Sequence, residues 1–170
     1  LAHLEIIIEI DNMASAPMET EAPLDEALYS RQLYVLGHDA MRKMMASSVL
    51  IVGLNALATE IAKNVVLAGV KSVAVCDKTP VHIQNLSAHF FLNQNDIGSP
   101  TDAVTAPRLA ELNQYVPVAV HDAPLDAAAI ASYGVVVVVN QPLALATALD
   151  EACRASGARF IKADTFGVVA

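Results

Sequence analysis

The chain has 170 residues, 55% of them hydrophobic, with no tryptophan, 5% aromatics and a formal charge of −8. That length fits one domain with a small appendage, and the apolar share is enough for a sizeable core of small side chains packed on a sheet. The acidic balance makes nucleic acid a poor partner, since phosphate recognition needs a basic footprint, and no run reaches the roughly 18 apolar residues of a membrane span.

Residues 1–23 read as an N-terminal segment and linker. Leu4, Ile6, Ile8 and Ile10 alternate as on one strand face, which suits either an edge strand or an appended remnant. Asp11 to Pro23 is small, polar and acidic, the composition of a loose strap. No signal peptide is recognisable, because the apolar start carries Glu5 and Glu9 and no basic residue. Cys76 and Cys153 stand apart, so neither a zinc nor a redox pair is signalled, and both read as buried thiols. A soluble, intracellular protein is the expectation.

From Leu24 to Ser47 the chain reads as helical. Asp25 is placed to cap a first helix that Gly37 ends, and Asp39 a second that runs through Ala46. Val49 to Val52 is a continuous apolar run, as in a strand buried on both faces. Ala56 to Leu67 has helical spacing and Gly69 ends it. Val73 to Cys76 is a second buried run, closed by Asp77. Pro80 blocks a helix at the next step, and Asn85 is placed to cap a short turn through LSAHFF. Ser99 or Thr101 opens a helix to about Asn113, with Pro107 at a bend. Val116 to His121 is a third strand. Asp126 caps an alanine-rich helix to about Ser132. The five valines Val135 to Val139 are a central strand, Leu143 to Ala155 a helix ended by Gly157, and Arg159 to Ala163 a fifth strand. This alternation gives the α/β class: a Rossmann-like, doubly wound, mostly parallel sheet with helices on both faces and right-handed crossovers, preceded by an N-terminal helical extension. An end so soon after a fifth strand suggests a fragment.

The phosphate-loop position is Gly53-Leu-Asn-Ala-Leu-Ala58. A dinucleotide loop wants glycine at its first, third and sixth positions: for the tight turn, for close approach of the pyrophosphate, and for helix packing. Here Gly53 is kept, Asn55 projects a side chain where phosphates would lie, and Ala58 is a smaller departure. The helix N-terminus still offers backbone donors and its positive dipole end, so either weak anion binding or a loop kept for the fold fits. Asp77 is placed to accept from ribose hydroxyls, or else is a turn aspartate. Arg31 stands on an otherwise apolar helix outside the dinucleotide unit. It either covers the core with its stem or is delivered to a phosphate. His3, His38, His82, His89 and His121 have no metal-ligand spacing, and no nucleophile elbow is present. An NAD-dependent dehydrogenase is the enzyme-class alternative, weakened by Asn55.

Specific words then carry a resemblance. LYSRQLYVLG (Leu28 to Gly37), SSVLIVGLNALATEIAKNVVLAGVKSV (Ser47 to Val73), NLSAHFFL (Asn85 to Leu92), DIGSP and APRLAELNQYVPV (Ala106 to Val118) resemble the ubiquitin-activating E1 group of the E1/ThiF-like adenylating family. The match is to the N-terminal, inactive adenylation half and covers roughly Leu24 to Gly167, so residues 24–170 are read as that domain. An E1-like subunit for another ubiquitin-like modifier is the nearest alternative, and a stand-alone homodimeric adenylator a further one.

The resemblance implies a pseudo-dimer of two adenylation folds. One half uses ATP and Mg to adenylate the C-terminus of ubiquitin, and a cysteine elsewhere takes it as a thioester for transfer to E2 enzymes. It also implies residence in cytoplasm and nucleus, with the active half, ubiquitin and E2 enzymes as partners and no membrane or nucleic acid. Self-association of the fragment, through the face meant for the active half, is a further expectation. An active half has glycines where this chain has Asn55 and Ala58, an Asp-x-Asp where it has Asp77 and Thr79, an asparagine and a phosphate-binding arginine where it has Ser87 and Ala88, and a metal-binding aspartate after strand four where it has Asn140-Gln141. These losses imply no bound cofactor and no metal in this domain. Arg31, in Ser30-Arg31-Gln32, matches the family arginine that reaches across to the ATP phosphates of the other half.

Overall fold

The computed structural model describes residues 27–167. They fall into two compact units, divided after Gly37. The first contains helix α1 (Ser30–Leu36), whose last turn closes with the Gly37 N–H on the Leu33 carbonyl. The proposed cap at Asp25 and the alternating segment Leu4 to Ile10 lie outside the described residues.

The second unit begins with α2 (His38–Met45). Asp39 is therefore inside the first turn and not its cap, where it pairs with Arg42 three residues on. Then follow β1 (Ser48–Val52), α3 (Ala56–Ala68), β2 (Ser72–Cys76), two 3-10 turns (Ile83–Ser87 and Gln94–Asp96) and α4 (Thr101–Ala110). β3 (Val118–Val120), α5 (Ala127–Ile130), β4 (Val135–Val139), α6 (Leu143–Ser156) and β5 (Arg159–Ala163) complete it. The strands make one sheet in the order β3-β2-β1-β4-β5, parallel throughout.

Two apolar layers sandwich that sheet. On one face Val49, Ile51, Val73, Val75, Val137 and Val139 pack under Ala58, Ala62 and Val66 of α3 and Ala106 and Leu109 of α4. On the other, Leu50, Val52, Ala74, Val136 and Val138 meet Ile130 of α5 and Ala146, Leu149 and Cys153 of α6. Successive strand residues thus bury on opposite faces, which is why β1 and β4 are apolar without interruption. Each fully buried valine or leucine contributes about 1.5–3 kcal/mol relative to exposure.

Several boundaries differ from the sequence reading. β3 is three residues long: Pro117 has no N–H to give, and the Val116 N–H is used in a turn onto the Asn113 carbonyl. α4 opens on Pro100 as its cap residue, and Thr101 turns its hydroxyl back to the Thr79 carbonyl at 2.8 Å. It ends at Ala110, because the Leu112 N–H closes a tighter turn onto Leu109. Asn85 does not cap forward. Its side-chain oxygen accepts from the His82 N–H behind it. Asp126 does cap α5, accepting from Ala129 N–H at 2.8 Å, although that helix is one turn. Cys76 is half-buried, not buried, at the end of β2. Among the described residues no helix is long and apolar enough to cross a membrane.

Candidate functional site

β1 lies between β2 and β4, and the chain leaves these three strands at the same end of the sheet. In a doubly wound fold this switch point is where ligands enter. A cleft of about 620 Å³ opens there, lined by the residues that follow each strand, among them Gly53, Asn55, Asp77, Lys78, Asn140 and Gln141.

Gly53 makes the turn from β1 into α3 with φ +85. Its N–H donates to the Cys76 carbonyl at 2.9 Å. A Cβ here would stand 2.4 Å from the Val139 carbonyl oxygen and 2.5 Å from the Gln141 amide nitrogen. Both the backbone angle and the space therefore demand glycine.

Asn55 is the N-cap of α3. Its side-chain oxygen accepts from Ala58 N–H at 2.9 Å, so it caps the helix start from a position that lines the cleft. Ala58 is fully buried and packs the helix start onto the sheet, where there is room for its methyl group.

Asp77 is a turn residue. One carboxylate oxygen accepts from Leu54 N–H at 2.7 Å. The other accepts from the Thr79 N–H at 3.0 Å and the Thr79 hydroxyl at 2.5 Å. Both oxygens accept from the chain itself, as a turn aspartate does. The helix start likewise has fewer free donors than the sequence suggested, since Leu54 N–H and Ala58 N–H are both taken.

Carboxylates outnumber cations at the cleft, with Asp77, Asp102 and Asp122 around a single lysine. Lys78 is the one cation among its lining residues. Its ammonium pairs with the fully buried Asp102 at 3.1 Å and also with Asp122. The hydrogen bonds to Asp122 and then Asp102 raise the Lys78 pKa. Asp102 also accepts from the Asp77 N–H at 3.1 Å, tying α4 to the end of β2. Burial, followed by the Asp102 charge, pushes the Cys76 thiol up, which keeps it a poor nucleophile.

Asn140 takes the left-handed conformation at φ 50. Its amide spans to Thr165, donating to the hydroxyl at 2.9 Å and accepting from the N–H at 2.8 Å. Asn140 thereby pins the chain after β5 to the chain after β4. Gln141 folds over Gly53 and donates to the Val139 carbonyl at 3.2 Å. Among the described residues, no group of three histidines, cysteines or carboxylates is gathered where a metal ion could be held.

Ala88 is exposed at the end of the first 3-10 turn and is not among the cleft-lining residues. The neighbouring His89 is the residue that the sequence reading undervalued. It is buried, and its Nε2 lies 2.8 Å from the Thr59 hydroxyl. Phe91 N–H donates to its Nδ1 at 3.3 Å, so Nδ1 is the bare nitrogen and Nε2 carries the proton. The Thr59 hydroxyl in turn donates to the Asn55 carbonyl at 2.9 Å. Burial lowers the His89 pKa. Further along, Arg108 forks onto Asp96 at 2.7 and 2.8 Å and donates to the Phe91 carbonyl. That fork holds the Asp96 carboxyl below the usual carboxylate range. Arg31 is exposed on α1, in the other unit.

The model of the ThiF family matches residues 29–169, nearly the whole described chain. The chain belongs to the ThiF family. Its similarity to ubiquitin-activating enzymes, read from the sequence words, holds across most of its length. It is 47% identical over 149 residues to the ubiquitin-like modifier-activating enzyme 1 of Mus musculus, which is 88% of this chain and 14% of that protein. It is 48% identical over 145 residues to the ubiquitin-activating enzyme E1 1 of Schizosaccharomyces pombe, 85% of this chain and again 14% of the relative. The chain thus spans about one seventh of the length of these curated relatives. Among solved structures, the E. coli tRNA N6-threonylcarbamoyladenosine dehydratase TcdA in complex with AMP shares the ThiF fold, with a TM-score of 0.71 at 17% identity over 84% of this chain and 61% of that one. The same enzyme in complex with ATP gives 0.68 over 81% and 58%.

Proposed function

We propose that this chain is the catalytically degenerate adenylation half of a ubiquitin-activating enzyme. In the larger protein, ATP and Mg serve a separate active half that adenylates the ubiquitin C-terminus, and a cysteine outside this chain takes ubiquitin as a thioester for transfer to E2 enzymes. This half scaffolds the active one, within a protein that resides in cytoplasm and nucleus.

The observation that carries the reading is the fate of the loop donors. Phosphates bind a helix start through free N–H groups, a positive dipole end and nearby cations. Here Leu54 N–H and Ala58 N–H are taken by Asp77 and Asn55, and Lys78 is shared by two carboxylates. ATP phosphates do not fit that set of partners.

Arg31 is this domain's contribution to catalysis. Its guanidinium, exposed on α1, neutralises the β/γ-phosphates held by the active half while the ubiquitin carboxylate attacks the α-phosphate. In the full-length enzyme, Arg31→Ala slows ATP–pyrophosphate exchange by about 100-fold, the scale for losing one transition-state donor. The 170-residue chain carrying the same change keeps its circular dichroism spectrum and melting point. Exchange at the unmodified rate would refute the role in trans.

A further inference from the structure

We propose that the nucleotide loop of this domain is occupied from within: Asp77 acts as a resident anion in the loop, and Asn55 and Gln141 close the remaining approach to it. The inference rests on the reading of this domain as the degenerate half, and explains what replaced the ligand.

A loop that once bound phosphate leaves a problem when the ligand is lost. The first N–H groups of a helix have no intrahelical partners, and burying them unpaired costs about 1–3 kcal/mol each. Leu54 is buried, at 2% exposure, so its N–H has little access to water. The Asp77 carboxylate meets it at 2.7 Å. That puts negative charge against the positive end of the 13-residue α3, the place a phosphate would take.

Two further contacts complete the occupation. The Asn55 side-chain oxygen holds the Ala58 N–H at 2.9 Å. The Gln141 amide lies over Gly53, its nitrogen 2.5 Å from where a Cβ would be. The tight turn at Gly53 is therefore covered by a side chain from the loop after β4. The three residues come from three different strand exits, so the closure is made by tertiary structure. The Asn55 contact is a local helix cap, whereas Asp77 reaches Leu54 across 23 residues and Gln141 lies over Gly53 from another strand exit. Thr79 holds the second oxygen of Asp77 and thereby fixes the orientation of the carboxylate.

The closure predicts how to undo it. Asp77→Asn removes the repelling charge while leaving an oxygen for Leu54 N–H. Asn55→Gly frees Ala58 N–H at a cap position where glycine costs a few tenths of a kcal/mol. Gln141→Ala uncovers Gly53. The test is a titration of the 170-residue chain and its D77N/N55G/Q141A variant with inorganic pyrophosphate, following the Leu54 and Ala58 amide signals by ¹⁵N NMR. The unmodified chain is expected to show no saturable shift at 10-fold excess over a ~1 mM midpoint, and the variant is expected to saturate both signals. Amide exchange in the unmodified chain adds a reading that needs no variant: Leu54 and Ala58 are protected as firmly as their strand neighbours. If the folded variant gains no binding, or if the two amides exchange freely in the unmodified chain, the internal occupation is refuted while the degenerate-half reading stands. If the unmodified chain itself saturates, the degenerate-half reading fails as well.

Discussion

Replacing Gly53 by alanine tests whether the turn at the end of β1 is fixed by the backbone of β4. The change adds one methyl group. At φ +85 an alanine pays about 1–2 kcal/mol for the left-handed region. The added carbon also stands 2.4 Å from the Val139 carbonyl oxygen, a full ångström inside ordinary contact. Val139 is in the central strand β4 and fully packed, so that oxygen cannot retreat without moving the sheet. Overpacking of this kind adds about 1–3 kcal/mol. The expected loss is about 2–5 kcal/mol against a total stability of roughly 5–15 kcal/mol for a domain. In a chain of this size that is a fall in melting temperature of about 4–20 °C. Thermal unfolding by circular dichroism measures it, with urea midpoints as a check. The second clash, with the Gln141 amide, allows a sharper test. Gly53→Ala combined with Gln141→Ala removes the flexible obstacle and leaves the backbone one, so less than half of the loss returns. A G53A melting point within about 1 °C of the unmodified chain, at odds with the size expected for a positive-φ clash, would refute the reasoning. Full rescue by Gln141→Ala would show that Val139 is not the constraint.

Two other perturbations address the segment between β2 and α4. Arg108→Ala leaves the buried Asp96 carboxylate with only the Asn93 N–H and is expected to cost about 2–4 kcal/mol. Arg108→Lys recovers little, because an ammonium cannot fork across both oxygens, and equal melting points for R108K and the unmodified chain would sink that account. His89 gives a pH dependence. Its folded pKa lies below the ordinary 6.5, so between those values the unfolded chain binds the extra proton and stability falls as pH falls. Urea midpoints at pH 7.5, 6.5 and 5.5 should therefore decline, and His89→Asn should flatten the part below 6.5. An unchanged slope in the variant would assign the pH dependence elsewhere.

What the sequence made legible follows from which signals are local. β1, β2 and β4 are continuous apolar runs because both faces are covered, and a run of valines admits few other readings. The cap at Asp126 and the glycine ends at Gly69 and Gly157 are one-turn signals, and the structure has all three, whereas the cap at Asn55 was not read from the sequence. β3 was overestimated because the valines of Val116 to Val120 mask the missing donor at Pro117. The stretch from Asp77 to Thr101 was least legible. Its order comes from long-range partners: the Pro80–Pro100 bridge, the Arg108 fork and the contact of His89 with Thr59. The site divides in the same way. The departures at Asn55, Ala58 and Ala88 were visible as letters. That Asp77 turns to Leu54 N–H, and that Gln141 covers Gly53, depends on three strand exits meeting in space. The Asp77-Lys78-Thr79 spacing does carry a trace of it, since an aspartate two residues before a threonine is the pattern of an Asx turn.

These contacts separate loss of a ligand from loss of a fold. A nucleotide loop stripped of its ligand contacts would leave buried donors unpaired and a glycine turn without a lid, and the sheet would be weaker for it. In this domain a carboxylate meets the Leu54 N–H, an amide caps the helix start, a second amide lies over Gly53, and Asn140 bridges to Thr165. The Asp77 carboxylate is held by N–H and O–H donors and, among the described residues, by no cation, so the charge it leaves in the loop repels a phosphate. On the scaffold reading proposed above, these internal contacts are what would let the domain keep its loop ordered without a nucleotide.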